Sequence, residues 1–129
     1  MSENEGNSKP RDLEERTRQF AKQVRAFVKL LPRTVCNLED AKQLARSSGS
    51  VAANYIEANE AVSRKDFILH IKYSRKEAKE SHLWLDLLDT TGRDGLDHRR
   101  AELLQEAQEL KLIFSAILKK SDDNRPPGP

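Results

Sequence analysis

Four stretches of this chain carry apolar residues at alternating spacings of four and three, joined by short polar connections. That rhythm gives each stretch one apolar stripe on an α-helix. Short links between four such helices favour antiparallel neighbours. An all-α, antiparallel up-down-up-down four-helix bundle is therefore the expected fold.

The first helix is predicted from about Asp12 to Leu31, with Leu13, Thr17, Phe20, Val24, Phe27 and Leu31 on its stripe. Asp12, Glu14 and Glu15 complement the dipole in the first turn, and Pro32 marks the stop. The second helix is expected after an N-cap at Asn37, with Asp40 three residues on, and to end near Ala61. Leu44, Ser48, Val51, Tyr55 and Ala58 form one side of it, widened by Ala41, Ala45, Ala52 and Ile56. Ser63 is the expected cap of the third helix, with Asp66 at the third helical position. Its stripe runs through Phe67, Ile71, Ser74, Ala78, Ser81, Leu85 and Leu88 to a stop at Gly92. Asp97 is expected to cap the fourth helix, whose stripe is Leu96, Leu103, Ala107, Leu110, Phe114 and Ile117, flanked by Leu104 and Leu118. Residues 1–11 and 121–129 read as disordered arms on a bundle of residues 12–120.

The chain has 129 residues, enough for one domain with a real core and no staples. Its 23 basic and 21 acidic residues leave a net charge of only +2, so attraction to nucleic acid has to come from charge placement. Cys36 is the lone cysteine, which excludes an internal disulfide and fits a reducing compartment. The first residues lack the apolar region of a secretory signal, and no run approaches the ~20 apolar residues of a membrane span. The expectation is a cytoplasmic protein with no membrane partner.

Three faces carry more pattern than a simple bundle needs. At about 100° per residue, Arg46, Ser50, Ala53, Asn54 and Glu57 fall largely opposite Leu44, Val51 and Tyr55, with Gly49 beside them. This is either a solvated face or a subunit contact with paired Arg and Glu hydrogen bonds. The third helix has a second stripe, Leu69, Tyr73, Lys76, Glu80, Leu83 and Leu87, with Trp84 alongside. Either two neighbours in one bundle share this helix, or Leu69, Tyr73, Leu83, Trp84 and Leu87 form an oligomer interface. On the first helix, Arg18, Lys22, Arg25 and Lys29 share a face roughly opposite Phe20 and Phe27. That face serves solubility or tracks phosphates. The basic residues of the third helix, Arg64, Lys65, Lys72, Arg75, Lys76 and Lys79, have five acids interspersed and make a mixed surface.

No catalytic constellation emerges. His70, His82 and His98 lack metal-ligand spacing, Cys36 has no CxxC partner, and no phosphate-cradling Gly-rich loop is present. No metal, cofactor or enzymatic activity is expected.

Across about Phe20 to Leu118 the chain resembles the four-helix-bundle family of 23S ribosomal RNA intervening-sequence proteins. The resemblance is densest at Gln43, Leu44, Arg46, Ser50, Ala53, Asn54 and Glu57. It continues through Asp66, Phe67, Ile68, Ser74, Arg75, Lys76, Glu77, Ala78, Glu80 and Leu85. It implies a polar family motif at Arg46, Ser50, Asn54, Glu57, Asp66, Arg75, Glu77 and Glu80, and assembly into a ring, often a pentamer. A related branch, the accessory variability protein of diversity-generating retroelements, binds a reverse transcriptase and nucleic acid. Tyr55, Ile56 and Ala58 depart from the family pattern of Ile-Ala before the Glu and Gly after it. The reading is a non-enzymatic, ring-forming bundle that binds RNA or other nucleic acid weakly and without sequence preference. The alternative is a protein-interaction scaffold, such as an accessory subunit of a reverse transcriptase.

Overall fold

The computed structural model describes residues 10–123. Pro10, Arg11 and Ser121, Asp122 and Asp123, expected in the disordered arms, belong to helices, and residues 1–9 and 124–129 lie outside the described residues. Four helices run α1 Pro10–Val28, α2 Val35–Asn59, α3 Arg64–Leu87 and α4 Asp94–Asp123. The described residues form an all-α four-helix bundle. Each helix packs on its chain neighbours, and α4 returns to α1. Side-chain pairs give antiparallel register. Arg46 meets Glu80 while Asn54 meets His70 across α2 and α3.

The expected stripes form the core. Leu13, Phe20, Val24 and Phe27 of α1 meet Leu44 and Val51 of α2, Ile71, Ala78 and Leu85 of α3, and Leu103, Leu110 and Phe114 of α4. At the end of α4, Leu118 is buried and Ile117 only partly so.

The helix ends differ from the expected ones. The α2 cap is Thr34, whose side chain accepts from the Asn37 backbone N–H at 3.1 Å. Asn37 itself is buried and does another job. Its amide donates to Pro32 O and to Asp89 O, both at 2.9 Å, and its Oδ1 accepts from the Asp89 N–H at 2.9 Å. It therefore ties the α1–α2 link to the α3–α4 link. Helix α3 keeps its Ser63 cap, which accepts from Asp66 N at 3.1 Å. It stops at Leu87, well before Gly92, because Leu88 turns extended and buries its side chain. Thr91 and Gly92 then take left-handed φ values of 56° and 71°. Glycine does this freely and threonine under strain, here offset by Thr91 N–H donating to Asp89 Oδ1 at 2.8 Å. Helix α4 begins at Asp94, one turn before the expected cap. Asp97 lies inside that first turn and accepts from the Thr90 hydroxyl.

Small polar residues set the α2–α3 spacing. Ser47 and Ser81 share a hydrogen bond of 2.8 Å, and Ser74 donates to Val51 O at 3.1 Å, all fully buried. The bonds satisfy the hydroxyls and their small volumes let the helices come close. Helices α1 and α4 meet over a polar seam. Arg16 donates to Glu106 through Nε at 2.7 Å and Nη2 at 2.8 Å, and to Glu109 at 2.7 Å.

Two outcomes test this account. Asn37→Ala strands two carbonyls and an N–H in a partly buried setting, and should cost about 2–3 kcal/mol in urea unfolding. Asn37→Asp keeps the acceptor for the Asp89 N–H but turns its second carboxylate oxygen onto the Pro32 and Asp89 carbonyls, and should cost at least as much. The Gln105 amide and then the Arg16 guanidinium hold the Glu109 carboxyl below its usual range. Its contribution to stability is therefore full above the ordinary Glu pKa and disappears as pH falls through the lowered value. Melting temperature followed across the acid range should drop less steeply in Arg16→Met than in the parent.

Candidate interaction surface

The outward side of α2 and α3 gathers most of the residues singled out from the sequence. The α3 stripe that faces the core is complete without help from Leu69, Tyr73, Leu83 and Leu87. These four are left 41%, 42%, 48% and 52% exposed. The second stripe is therefore on the surface of the bundle and is not shared between two neighbours inside it. Trp84 at its edge is half-buried against the core, and its indole N–H is buried without a hydrogen-bond acceptor among the described residues. Tyr73 lies edge-on to His70 with ring centroids 5.9 Å apart.

The polar residues divide. Arg46 bridges α2 to α3, reaching Glu77 at 3.3 Å and Glu80 at 3.2 Å. Its side chain is 51% exposed while that of Glu77 is 15%, so the pair is a rim contact with one buried end. Asn54 donates to Ser50 O at 3.0 Å, and its Oδ1 lies 3.2 Å from His70 Nδ1. Arg75 points the other way and donates to Ser115 Oγ of α4 at 3.4 Å. Asp66 stands in the first turn of α3 and gives its backbone N–H to the Ser63 cap. Glu57 is exposed and makes no side-chain hydrogen bond or ion pair among the described residues. The motif is thus not one network. Arg46, Glu77 and Glu80 form one cluster, Ser50, Asn54 and His70 a second, and Arg75 a separate strut.

The basic face of α1 is exposed throughout, but its four charges have different surroundings. Arg18 pairs with Glu15 at 2.9 Å. Arg25 leans onto α2, donating to Ala45 O at 3.1 Å and Ser48 Oγ at 3.4 Å. Gly49 makes room for it, since a Cβ there would lie 3.2 Å from Arg25 Nη2. Lys22 and Lys29 have no hydrogen-bonded or ion-paired partner among the described residues.

Several structurally central residues carried no sequence signal. Arg16 and Glu106 sit 90 positions apart, so only the fold could pair them. A groove of about 690 Å³ runs along that seam, lined by Arg16, Gln19, Gln23, Arg99, Glu102 and Glu106. A second, of about 580 Å³, has Arg64, Lys65 and Lys72 around Ile68 and Leu69. Among the described residues no three His, Cys, Asp or Glu side chains gather where they could hold a metal ion. No described helix is long and apolar enough to cross a membrane.

The model of the 23S rRNA-intervening sequence protein family matches residues 11–116. The chain belongs to this family. The match spans all four helices and both polar clusters of the α2–α3 surface. Among solved structures, the chain is similar to a protein of unknown function from the S23 ribosomal protein family of Bacteroides thetaiotaomicron VPI-5482. The two share 28% identity with a TM-score of 0.72, over 87% of this chain and 99% of that one. Comparison with curated proteins finds no match.

The geometry ranks the polar contacts. Arg46→Ala removes a half-exposed pair and should cost under about 1 kcal/mol, while Glu57→Ala should leave chemical unfolding unchanged within error. Glu77→Ala should cost less than Arg46→Ala, because the remaining Arg46 keeps Glu80 as its partner, whereas losing Arg46 leaves the largely buried Glu77 carboxylate without its cation.

Proposed function

We propose that this family member is a non-enzymatic binding protein that self-associates through its α2–α3 surface and offers repeated basic faces to nucleic-acid phosphates. The exposed second stripe of α3 carries the reading. Leu69 and Tyr73 at one end of the row and Leu83 and Leu87 at the other, with Trp84 alongside and Lys76 and Glu80 between them, supply the large apolar and aromatic side chains in which contact surfaces are enriched. On the α2 side of that row, Arg46 and Glu77 supply a charged border of the kind such contacts use.

Lys22 and Lys29 support the nucleic-acid half, because both are exposed and neither ammonium group is hydrogen-bonded or ion-paired among the described residues. Arg18 and Arg25 keep their charge while bonded within the chain, so the four remain one positive track. A single track is short. Self-association, as a pair through this row or as the ring that the resemblance to intervening-sequence proteins implies, would set several tracks side by side and multiply weak phosphate contacts. The same α3 row would equally suit a foreign protein such as a reverse transcriptase. In that case the purified chain stays monomeric and the row awaits its partner.

The test uses Arg18→Gln/Lys22→Gln/Lys29→Gln and leaves Arg25 in place as a strut between α1 and α2. In mobility-shift titrations with RNA, the parent should bind weakly, without base preference and with steep salt dependence. The triple variant should show a log–log salt slope shallower by about one for each lost phosphate contact. Equal binding by parent and variant moves the site off α1. Absence of parent binding at low salt removes the nucleic-acid half.

A further inference from the structure

The exposed stripe of α3 reads the same in both directions. Leu69, Tyr73, Lys76, Glu80, Leu83 and Leu87 follow one another at spacings of four, three, four, three and four. Reversing the row places Leu69 on Leu87, Tyr73 on Leu83 and Lys76 on Glu80. Apolar positions thus fall on apolar positions, and the two central charges fall on opposite charges. A parallel pairing of the same row would set Lys76 against Lys76 and Glu80 against Glu80.

Resting on the self-association reading above, we infer that α3 is a two-fold seam: a second copy of this chain packs its own α3 antiparallel across this row. Lys76 of each copy then faces Glu80 of the other, inside a frame of leucines and tyrosines. An isologous contact demands this kind of self-complementarity, since each residue meets its mirror position in the reversed row.

The surroundings fit a helix laid along α3. Lys76 is exposed and has no ion pair or side-chain hydrogen bond among the described residues, so its charge is available. Glu80 accepts from Arg46 through Oε1 and retains its second oxygen. On the α2 side the row is flanked between Arg46 and Asn54 by Ser50 and Ala53, whose short side chains raise no wall. A ring needs contacts between two different faces, whereas this face matches itself. The seam therefore joins chains in pairs, or two rings back to back.

The seam makes an unusual prediction for charge reversal, because both partners in each ion pair come from the same sequence. Lys76→Glu sets one carboxylate against another, that of Glu80, in both halves of the contact, and Glu80→Lys sets two ammonium groups together. Each single variant should self-associate at least about tenfold more weakly than the parent in low salt. Mixing the two variants in equal amounts should restore association, since a mixed pair sets carboxylates against ammonium groups in both halves of the contact. Lys76→Glu/Glu80→Lys on one chain should restore it as well. Sedimentation equilibrium provides the readout, with circular dichroism and melting curves to confirm that each variant is folded. A parent that stays monomeric at several hundred micromolar overturns both the seam and the self-association reading. A parent that associates while both single variants associate equally well overturns the seam alone. Loss in the single variants without recovery in the mixture also overturns the seam, by showing that Lys76 and Glu80 do not face each other.

Discussion

The surface of this protein follows from the close approach of α2 and α3. Ser47, Ser74, Ala78 and Ser81 occupy core positions where most bundles place leucine. Larger side chains there would hold the two helices apart. Serine brings a hydroxyl that must be satisfied, and the short spacing satisfies it: Ser47 bonds Ser81, and Ser74 bonds the Val51 carbonyl. Each small residue thus requires the proximity that it creates. The same closeness lets Arg46 reach from α2 to both Glu77 and Glu80 on α3. With its inward face committed to α2, α4 and the core, α3 leaves its second stripe outside.

Charge is organised by location more than by amount. Arg16 holds α1 to α4 through two carboxylates, and Arg25 braces α1 against the backbone of α2. Asn37, a neutral side chain, does comparable work at the end of the bundle by joining its two links. These side chains close a bundle whose α1–α4 contact is its least extensive. The lysines of α1 and Lys76 of α3 are left over from this scheme. Their freedom from structural duty is what makes them eligible to meet phosphates or a second copy.

Much of the architecture was legible because burial in a helix repeats at a fixed period. Leu13, Phe20 and Val24, or Ile71, Ala78 and Leu85, had to share a side, and a shared apolar side has to leave water. The Ser63 cap was equally legible, being a local bond between a hydroxyl and an N–H three residues on. Other ends were not. Asn37 has the side chain of a cap, yet Thr34 stands three residues earlier and takes the role. Gly92 has the torsional freedom of a helix stop, yet α3 had already ended where Leu88 turned inward to the core. Each of these outcomes was decided by competition between two local options, settled by packing elsewhere in the chain.

By itself the sequence determined the number of helices, their inward faces, the second stripe of α3 and the positive track of α1, because each depends only on offsets along one helix. The tertiary structure decided which polar residues meet. Arg46 could have faced solvent, Glu57 could have joined it, and Arg75 could have stayed with Glu77. Their partners were chosen by the spacing and register of α2, α3 and α4. It also decided that the second stripe of α3 faces outward and not into a neighbouring helix. A periodic pattern records that a face is apolar, but only the arrangement of the other three helices records whether anything inside the chain covers it.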